Sequence, residues 1–526
     1  MIGVVSQQVR ERTLLELITA GGLPVDLPPR ARSLRIHLLT DDSRAVGEGS
    51  CFVAVAGVRR NGGDYIDEAV ARGAVAVISE QPVELPSPIA AIQVKDARSA
   101  LARLAAAWYG FQQGGPAAHL KLIGVTGTNG KTTTCTLIRS ILQRAGAPTA
   151  LLGTIHYDLL ATIEPAPWTT PPPLVLSERL ARAVSNGATH AVMEVSSHAL
   201  SQRRCDGHRF QAAVFTNLSG EHLDYHGNVD AYADAKKRLF DSLDEHGLAV
   251  VNAADPLSER MISSCSGRIL RFSLDGPGDL TADIRSLTTQ GAEFDLHAPD
   301  GSVRVSWSLV GEHNIANALA AAATAVGLGI DLDAIRAGLE DAGPVAGRLQ
   351  PVDTGDRGFR LFVDYAHTDD ALSRVLSALK PLAAGRLICV FGCGGDRDRS
   401  KRPRMARAVA DHADVAIVTS DNPRFEDPPA IVEEICSGFV GRGECAVEIE
   451  TDRRRAIERA VAIAREGDIV LIAGKGHENY QIVGNRRLAF DDVEVAMRAM
   501  NDQRPDRGRP SSRRERSSSQ EGRCVG

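Results

Sequence analysis

The stretch Gly124-Val125-Thr126-Gly127-Thr128-Asn129-Gly130-Lys131-Thr132-Thr133 has residue types and spacing suited to phosphate. It follows an apolar run, Leu120–Thr126, that reads as a buried strand, and leads into an amphipathic pattern from Lys131 to about Ala145 that reads as a helix. A glycine-rich turn at such a junction aims backbone N–H groups and the positive end of the helix at a bound anion. Lys131 is then placed to pair with the β- and γ-phosphates and Thr132 to ligate Mg²⁺, so ATP is the expected ligand. The frame departs from the strict G-x-x-x-x-G-K-[ST] pattern, since its first position is Val125.

Other residues fit chemistry on two anions, which needs cations to bring them together. Glu194 ends the apolar run Ala188–Val195, at the strand end where ligand sites of α/β sheets form. Asn314 and Asn317 lie three apart on one helix face, where their amides suit an adenine edge or phosphate. Arg424, in Asp421-Asn422-Pro423-Arg424 after the run Val415–Thr419, carries a planar fork suited to a carboxylate. Arg397 follows another such run and suits the same partner, while Glu478, beyond Gly474, suits an ammonium. Read alone, Lys236 in Ala235-Lys236-Lys237-Arg238 is a solvated basic helix face, and His222 a structural loop residue.

Thr126-Gly127-Thr128-Asn129-Gly130-Lys131-Thr132-Thr133 resembles the nucleotide loop of the Mur ligases and the related folylpolyglutamate synthetases. Further segments resemble Mur ligase motifs over about residues 30–495: Glu194-Val195-Ser196-Ser197-His198, Asn217-Leu218-Ser219-Gly220-Glu221-His222, Ala235-Lys236-x-x-Leu239-Phe240, Gly311-x-His313-Asn314-x-x-Asn317 and Asp364-Tyr365-Ala366-His367. The resemblance implies that Lys131, Glu194, His222 and Lys236 are catalytic. Glu194 and His222 then join Thr132 as Mg²⁺ ligands, and Lys236 is carbamylated to hold a second Mg²⁺. It assigns a UDP-linked precursor to Asp41 and Ser43 of Asp41-Asp42-Ser43-Arg44, to Val58, Arg59 and Arg60, to Trp168, Thr169 and Thr170, and to Ser196, Gln202 and Arg204. Trp168 stands where relatives often have Asn, and Asp369 where Pro is usual.

Asp421-Asn422-Pro423-Arg424 resembles the motif of diaminopimelate-adding ligases, which implies that Arg397, Asp421, Asn422, Pro423, Arg424, Gly474 and Glu478 bind that amino acid. Diaminopimelate ends in an ammonium and a carboxylate, whereas lysine ends in an ammonium alone, so Arg424 attracts the first and repels the second. The implied reaction is ATP-dependent addition of meso-diaminopimelate to the D-Glu side-chain carboxylate of UDP-MurNAc-L-Ala-D-Glu through an acyl phosphate. Three alternatives remain open: the same ligation with L-lysine, a folylpolyglutamate synthetase-like ligase, and a catalytically dead scaffold protein. ATP and amino acid sit on different domains in this reading, so domain closure is expected to assemble the site.

These residues need elements to place them, and apolar strand runs alternating with helical patterns predict an α/β chain of three domains. Residues 1–114 read as a small α/β domain for the precursor, with strands at Leu34–Leu39, Cys51–Val55, Ala74–Ile78 and Ala91–Val94. A Gly/Pro linker near Gln112–Pro116 opens residues 115–346, a mostly parallel P-loop-type ATP domain with an antiparallel insertion over 280–310. Beyond Gly347-Arg348, residues 347–500 read as a Rossmann-like amino-acid domain with strands at Arg360–Asp364, Arg386–Phe391, Val415–Thr419 and Asp468–Ala473.

A length of 526 residues suits about three domains, and 43% apolar with 24% charged residues is a normal globular mix. Net charge is −6. Residues 501–526 carry seven Arg against four acids, leaving 53 basic and 62 acidic residues, net −9, in the body. That balance argues against a nucleic-acid partner. The Ser/Arg-rich tail, 501–526, has too little apolar surface to fold and is expected to be disordered. Residues 1–20 lack a signal-peptide pattern, and no apolar run reaches the ~20 residues of a membrane span. Nine scattered Cys read as reduced thiols of a cytoplasmic protein. The expected partners are small molecules, with the chain acting as a monomer.

Overall fold

A computed structural model describes residues 11–57, 60–441 and 444–502 of the chain. The tail expected from 501 onward, except the two residues that end the helix Asp492–Asp502, lies outside the described residues, as do Val58 and Arg59. The chain is α/β throughout and forms two compact units. One comprises the described residues up to Gln350 with Asp370–Leu382, the other Pro351–Asp369 with the described residues from Ala383.

The first unit holds a small parallel sheet, Leu38–Thr40, Ser50–Val53, Ala74–Ser79 and Ala90–Gln93. The helix Ala97–Trp108, capped by the Asp96 carboxylate on Ser99 N–H at 2.9 Å, buries its Ala/Leu face in the same core. The single strand expected over Leu34–Leu39 is divided. Arg35–Ile36 pairs antiparallel with Arg12–Thr13, and Leu38–Thr40 joins the parallel sheet. His37, whose N–H bonds Gly49 O, lies at the switch, so one apolar run serves two partners.

The main sheet of this unit has eight strands. Six run parallel, in the order Thr149–Leu152, His190–Glu194, Lys121–Thr126, Phe210–Phe215, Leu248–Asn252 and Arg268–Phe272. His156–Asp158 and Ile163–Pro165 add an antiparallel edge. Alternate strand residues feed two cores, Ile123, Val125, Val192 and Val214 on one face, Leu122, Met193 and Ala213 on the other. Burial on both faces explains why these strands read as continuous apolar runs. The Ala-rich helix Glu312–Gly327 is buried along most of its length against the first core. Thr281–Thr288, Gly291–Ala298 and Gly301–Trp307 form the antiparallel insertion that polar–apolar alternation predicts.

In the second unit five strands run parallel in the order Arg360–Asp364, Ile469–Ala473, Leu387–Cys393, Val415–Ser420 and Ala446–Ile449. A hairpin, Tyr480–Val483 with Arg486–Ala489, follows Ile469–Ala473 and was not expected from the sequence. In both sheets the candidate residues follow the carboxyl ends of adjacent strands, where open α/β sheets bind ligands. No described helix is long and apolar enough to cross a membrane.

Candidate active site

The glycine-rich turn leaves the strand Lys121–Thr126 and enters the helix Lys131–Arg144 through Gly130 at φ 88°. A Cβ on Gly130 would lie 2.3 Å from Asn317 Oδ1, and one on Gly127 would lie 1.9 Å from Thr216 Oγ1, so both positions require glycine. The neighbouring strand end braces the turn. Thr128 N–H donates to Asn217 O at 2.8 Å, Asn129 N–H to Asn217 Oδ1 at 3.0 Å, and Thr216 Oγ1 to Asn129 O at 2.6 Å. Asn129 Nδ2 and Ser219 Oγ both donate to Asp370 Oδ2, at 2.9 and 3.0 Å. Thr133 is buried in the first turn of the helix.

Lys131 folds back so that Nζ donates to Gly127 O at 2.9 Å and Thr128 O at 2.8 Å. Lys236 Nζ donates to the same Gly127 O at 2.8 Å and lies 4.4 Å from the centre of the Tyr232 ring. Burial pushes the Lys236 amine well below the usual lysine range, with the Lys131 charge adding to the effect. Burial lowers Lys131 too, against the opposing charges of Glu194 and Glu221. Glu194 is 1% exposed and accepts from Thr132 Oγ1 at 3.0 Å, Thr154 N–H at 2.7 Å and Thr154 Oγ1 at 3.0 Å. Arg348 Nη2 donates to Thr132 Oγ1 at 3.1 Å. Lys131, Thr132, Glu194 and Lys236 thus surround one turn.

His222 stands at φ 58° at the start of the short helix Leu223–His226, its ring edge-on to His198 at 4.7 Å and 6.2 Å from Tyr232. Tyr232 OH in turn lies 3.2 Å from Thr128 Oγ1. Burial lowers His222, and the charges of Lys131 and Lys236 act in the same direction. Asn314 and Asn317 are buried behind the loop. Asn314 Nδ2 donates to Val310 O at 2.8 Å, Asn317 Nδ2 to Asn314 Oδ1 at 3.2 Å, and Thr134 Oγ1 to Asn317 Oδ1 at 3.4 Å.

The expected precursor residues divide between two places. Thr170 Oγ1 donates to Glu194 O at 2.8 Å and accepts from Ser196 N–H at 3.0 Å, while Thr169 Oγ1 lies 3.1 Å from Thr154 Oγ1. Arg204 joins them, with Nη1 on Thr170 O at 2.6 Å and Nη2 on Gln202 Oε1 at 2.8 Å. Trp168 contributes its carbonyl to Tyr157 OH at 2.5 Å. Asp41, Ser43 and Arg60 lie instead in the small-sheet region, Ser43 Oγ donating to Glu68 Oε2 at 2.9 Å.

In the second unit Asp421, Asn422, Pro423 and Arg424 follow the strand Val415–Ser420, and Gly474 and Glu478 follow Ile469–Ala473. Arg424 is held at φ 52°, its N–H donating to Ile482 O at 3.0 Å and its Nη1 to Gly395 O at 2.8 Å. Asn422 Nδ2 donates to Glu478 Oε2 at 3.0 Å and Asn422 Oδ1 accepts from Ile482 N–H at 2.9 Å. Arg397 is exposed in the loop after Leu387–Cys393. Behind that loop Arg402, with a fully buried side chain, is bonded to Glu426 at 2.9 Å and Glu434 at 2.8 Å.

Four residues of these networks escaped the sequence reading. Thr154 follows the buried strand Thr149–Leu152, a strand-end position that was a usable signal. Arg348 and Asp370 gave none, because both reach the nucleotide loop from beyond or beside the expected domain boundary. Lys475, between Gly474 and Gly476, has no exposed side-chain surface and donates to Glu478 Oε2 at 3.1 Å and Asn422 Oδ1 at 3.3 Å.

Three family models match the chain in order: "Mur ligase family, catalytic domain" over residues 35–109, "Mur ligase middle domain" over 125–325 and "Mur ligase, glutamate ligase domain" over 347–476. A UDP-N-acetylmuramoyl-L-alanyl-D-glutamate–2,6-diaminopimelate ligase of Gloeobacter violaceus is 44% identical over 93% of this chain and 98% of its own length. One of the same name from Geobacillus kaustophilus is 44% identical over 89% and 95%. A solved structure of a ligase of that name superimposes with a TM-score of 0.68 at 36% identity, covering 94% of this chain and 99% of the other. With the strand-end sites carrying the motif residues and relatives aligned along nearly their whole length, the chain belongs to the Mur ligase family.

Proposed function

We propose that the protein is an ATP-dependent ligase joining meso-diaminopimelate to the D-Glu side-chain carboxylate of UDP-MurNAc-L-Ala-D-Glu, a step of peptidoglycan precursor synthesis. The relatives of that name, similar over nearly their full lengths, support the substrate pair. The observation that carries the amino-acid choice is the placing of Arg424 beside Asn422 and Glu478, a cation and a carboxylate within one strand-end cluster. Diaminopimelate presents the complementary carboxylate and ammonium there, and lysine only the ammonium.

In this reading the turn Gly127–Thr133 cradles the triphosphate, with Asn314 and Asn317 fixing the turn from behind. Lys131 moves from its two backbone carbonyls to the β- and γ-phosphates. The glutamate carboxylate attacks the γ-phosphorus, ADP leaves, and the diaminopimelate amine displaces phosphate from the acyl phosphate, giving the amide and releasing a proton. The chain contributes positioning and charge neutralisation. Mg²⁺ fits the residues present. Glu194 is a buried carboxylate beside the Thr132 hydroxyl, and such a cation takes one or two protein oxygens with the rest from phosphate and water. Thr132, Glu194 and His222 would hold it and a carbamylated Lys236 would hold a second Mg²⁺, and their charge would neutralise the phosphates. The depressed Lys236 amine supports carbamylation, since the neutral amine is the form that adds to CO₂, losing a proton as the carbamate forms.

Thr169, Thr170, Ser196, Gln202 and Arg204 hold the peptide end of the precursor next to Glu194, and Asp41, Ser43 and Arg60 its uridine. Residues 1–114, 115–346 and 347–500 thereby divide the work among precursor, ATP and amino acid. The protein acts as a monomer in the cytoplasm, where reduced thiols are the rule; none of its described cysteines forms a disulfide.

The test is phosphate release from ATP with the UDP-linked dipeptide, comparing meso-diaminopimelate with L-lysine in the wild type and in Arg424→Ala. A wild-type preference for diaminopimelate that Arg424→Ala abolishes is the expected result. Turnover with lysine alone overturns the assignment of the amino acid, and turnover with neither overturns the ligase.

A further inference from the structure

Lys475 has no exposed side-chain surface, yet it lies at the mouth of the strand-end cluster, in the turn between Ile469–Ala473 and the hairpin Tyr480–Ala489. Its ammonium faces two carboxylates, Glu478 Oε2 at 3.1 Å and Asp421 Oδ1 at 3.5 Å. Asp421 Oδ1 is buried and accepts no hydrogen bond. Arg453 lies in the same region with its charge cancelled by Asp492, bonded at 2.8 and 2.7 Å, and its Nη2 on Ala473 O at 2.9 Å. Asp421 and Glu478 also feel the Arg453 charge, but the cation that faces both of them directly is Lys475, with Arg424 across Tyr480. Tyr480 is raised by its burial, then by Glu478, with Arg487 over its ring and, more weakly, Arg424 opposing.

At the inner end of the cluster these four charges, Asp421 and Glu478 against Lys475 and Arg424, sum to zero; Arg397 stands exposed on the loop after Leu387–Cys393, and Arg487 lies over the Tyr480 ring, 3.6 Å from its centre. A net-neutral site of separated charges suits a net-neutral ligand end that carries an ammonium and a carboxylate. Without Lys475 that inner end would carry one more negative charge, which favours an end carrying an ammonium alone. A buried ammonium cannot touch the substrate itself, so its effect must pass through the acids it holds.

We propose that Lys475 is a positioning residue that sets amino-acid specificity, fixing Asp421 and Glu478 and balancing one of their charges so that the site prefers a zwitterionic end over a cationic one. This rests on the reading of the site as the diaminopimelate site. It adds to Arg424 a second cation that rejects lysine by charge count instead of by contact.

The experiment measures kcat and KM for meso-diaminopimelate and L-lysine in the wild type, Lys475→Met, Asp421→Asn and the double variant. Lys475→Met is expected to cut the preference for diaminopimelate over lysine by about tenfold or more, mainly through KM. Asp421→Asn removes a negative charge and shifts the preference the other way, while the double variant, again net neutral, returns to within about threefold of the wild-type ratio. A ratio unmoved in Lys475→Met, or moved and not restored in the double variant, overturns the proposal. If Lys475→Met fails to fold, the opposed shift of Asp421→Asn and its reversal in the double variant decide the matter. A wild type that uses neither amino acid overturns the underlying reading instead.

Discussion

The two strand-end sites handle cations in opposite ways. Around the nucleotide loop Lys131 and Lys236 are bonded to backbone carbonyls and share Gly127 O. In the second unit Arg402, Arg453 and Lys475 are fully buried and each is bonded to carboxylates. Carbonyls satisfy hydrogen bonds without pairing the Lys131 charge to a carboxylate in direct contact, which in the proposed reading leaves it to a polyanion that brings its own negative charge. Carboxylates cancel it, which in the proposed reading suits the second site to a zwitterion. In the first cluster the cations are expected to serve the ligand at a cost to the fold; in the second they are expected to hold the fold together.

The sharpest way to break this contrast is Lys131→Ala. Loss of the one flexible cation in the loop is expected to lower ATP-dependent phosphate release by about a thousandfold, roughly 4 kcal/mol of barrier, with circular dichroism unchanged. A loss below about tenfold means that the charge of Lys131 is not what the phosphates use. Stability runs the other way. Arg453→Met strands Asp492, with no exposed side-chain surface on either partner, and is expected to cost about 3–5 kcal/mol in urea unfolding. Lys131→Met, which strands no carboxylate bonded to it, leaves stability unchanged or higher. Equal losses in the two variants erase the distinction between the sites.

What the sequence makes legible follows the same division. The loop Gly127–Thr133 is local: strand, glycine turn and helix are contiguous, and the junction alone places Lys131 and Thr132. Asp421–Arg424 was legible for the same reason, as a turn directly after an apolar strand. Lys475 was not, because a lysine between two glycines reads as an exposed turn. Its burial comes from Asp421 and Asn422, just after a strand two places away in the sheet, and from the hairpin that follows. That hairpin was itself illegible: Tyr480–Val483 and Arg486–Ala489 are exposed or half-buried on both faces, so no alternation marks them. Lys236 fell between. Its helix has a clear apolar face, but whether a lysine points into that face depends on Tyr232 and Gly127 lying beneath it.

The smallest expected effect concerns acid. In the first unit burial pushes His190, His198, His208 and His313 down to about 4. Below pH 6.5 the unfolded chain binds protons that these folded rings refuse, so stability is complete above 6.5 and is lost as pH falls toward 4. His208, 7% exposed with Nε2 at 3.0 Å from Ser177 Oγ, accounts for at most about 3 kcal/mol of this. In the second unit burial lowers His412 as well, by less than in the four rings above, and the strongest shift there is of the other kind: Arg402 holds Glu426 at about 2, so its contribution persists until pH falls below the ordinary carboxylate value of 4.5. The three tryptophans, Trp108, Trp168 and Trp307, all lie in the first unit, so their fluorescence follows its unfolding. Urea midpoints read from tryptophan emission are expected to fall between pH 7 and pH 5 in the wild type and to fall less in His208→Gln, which keeps a hydrogen-bonding group for Ser177 without the titration. Parallel pH dependence in the two proteins removes His208 as a source. A wild-type midpoint flat down to pH 5 removes the buried histidines of the first unit altogether as a source of its acid sensitivity.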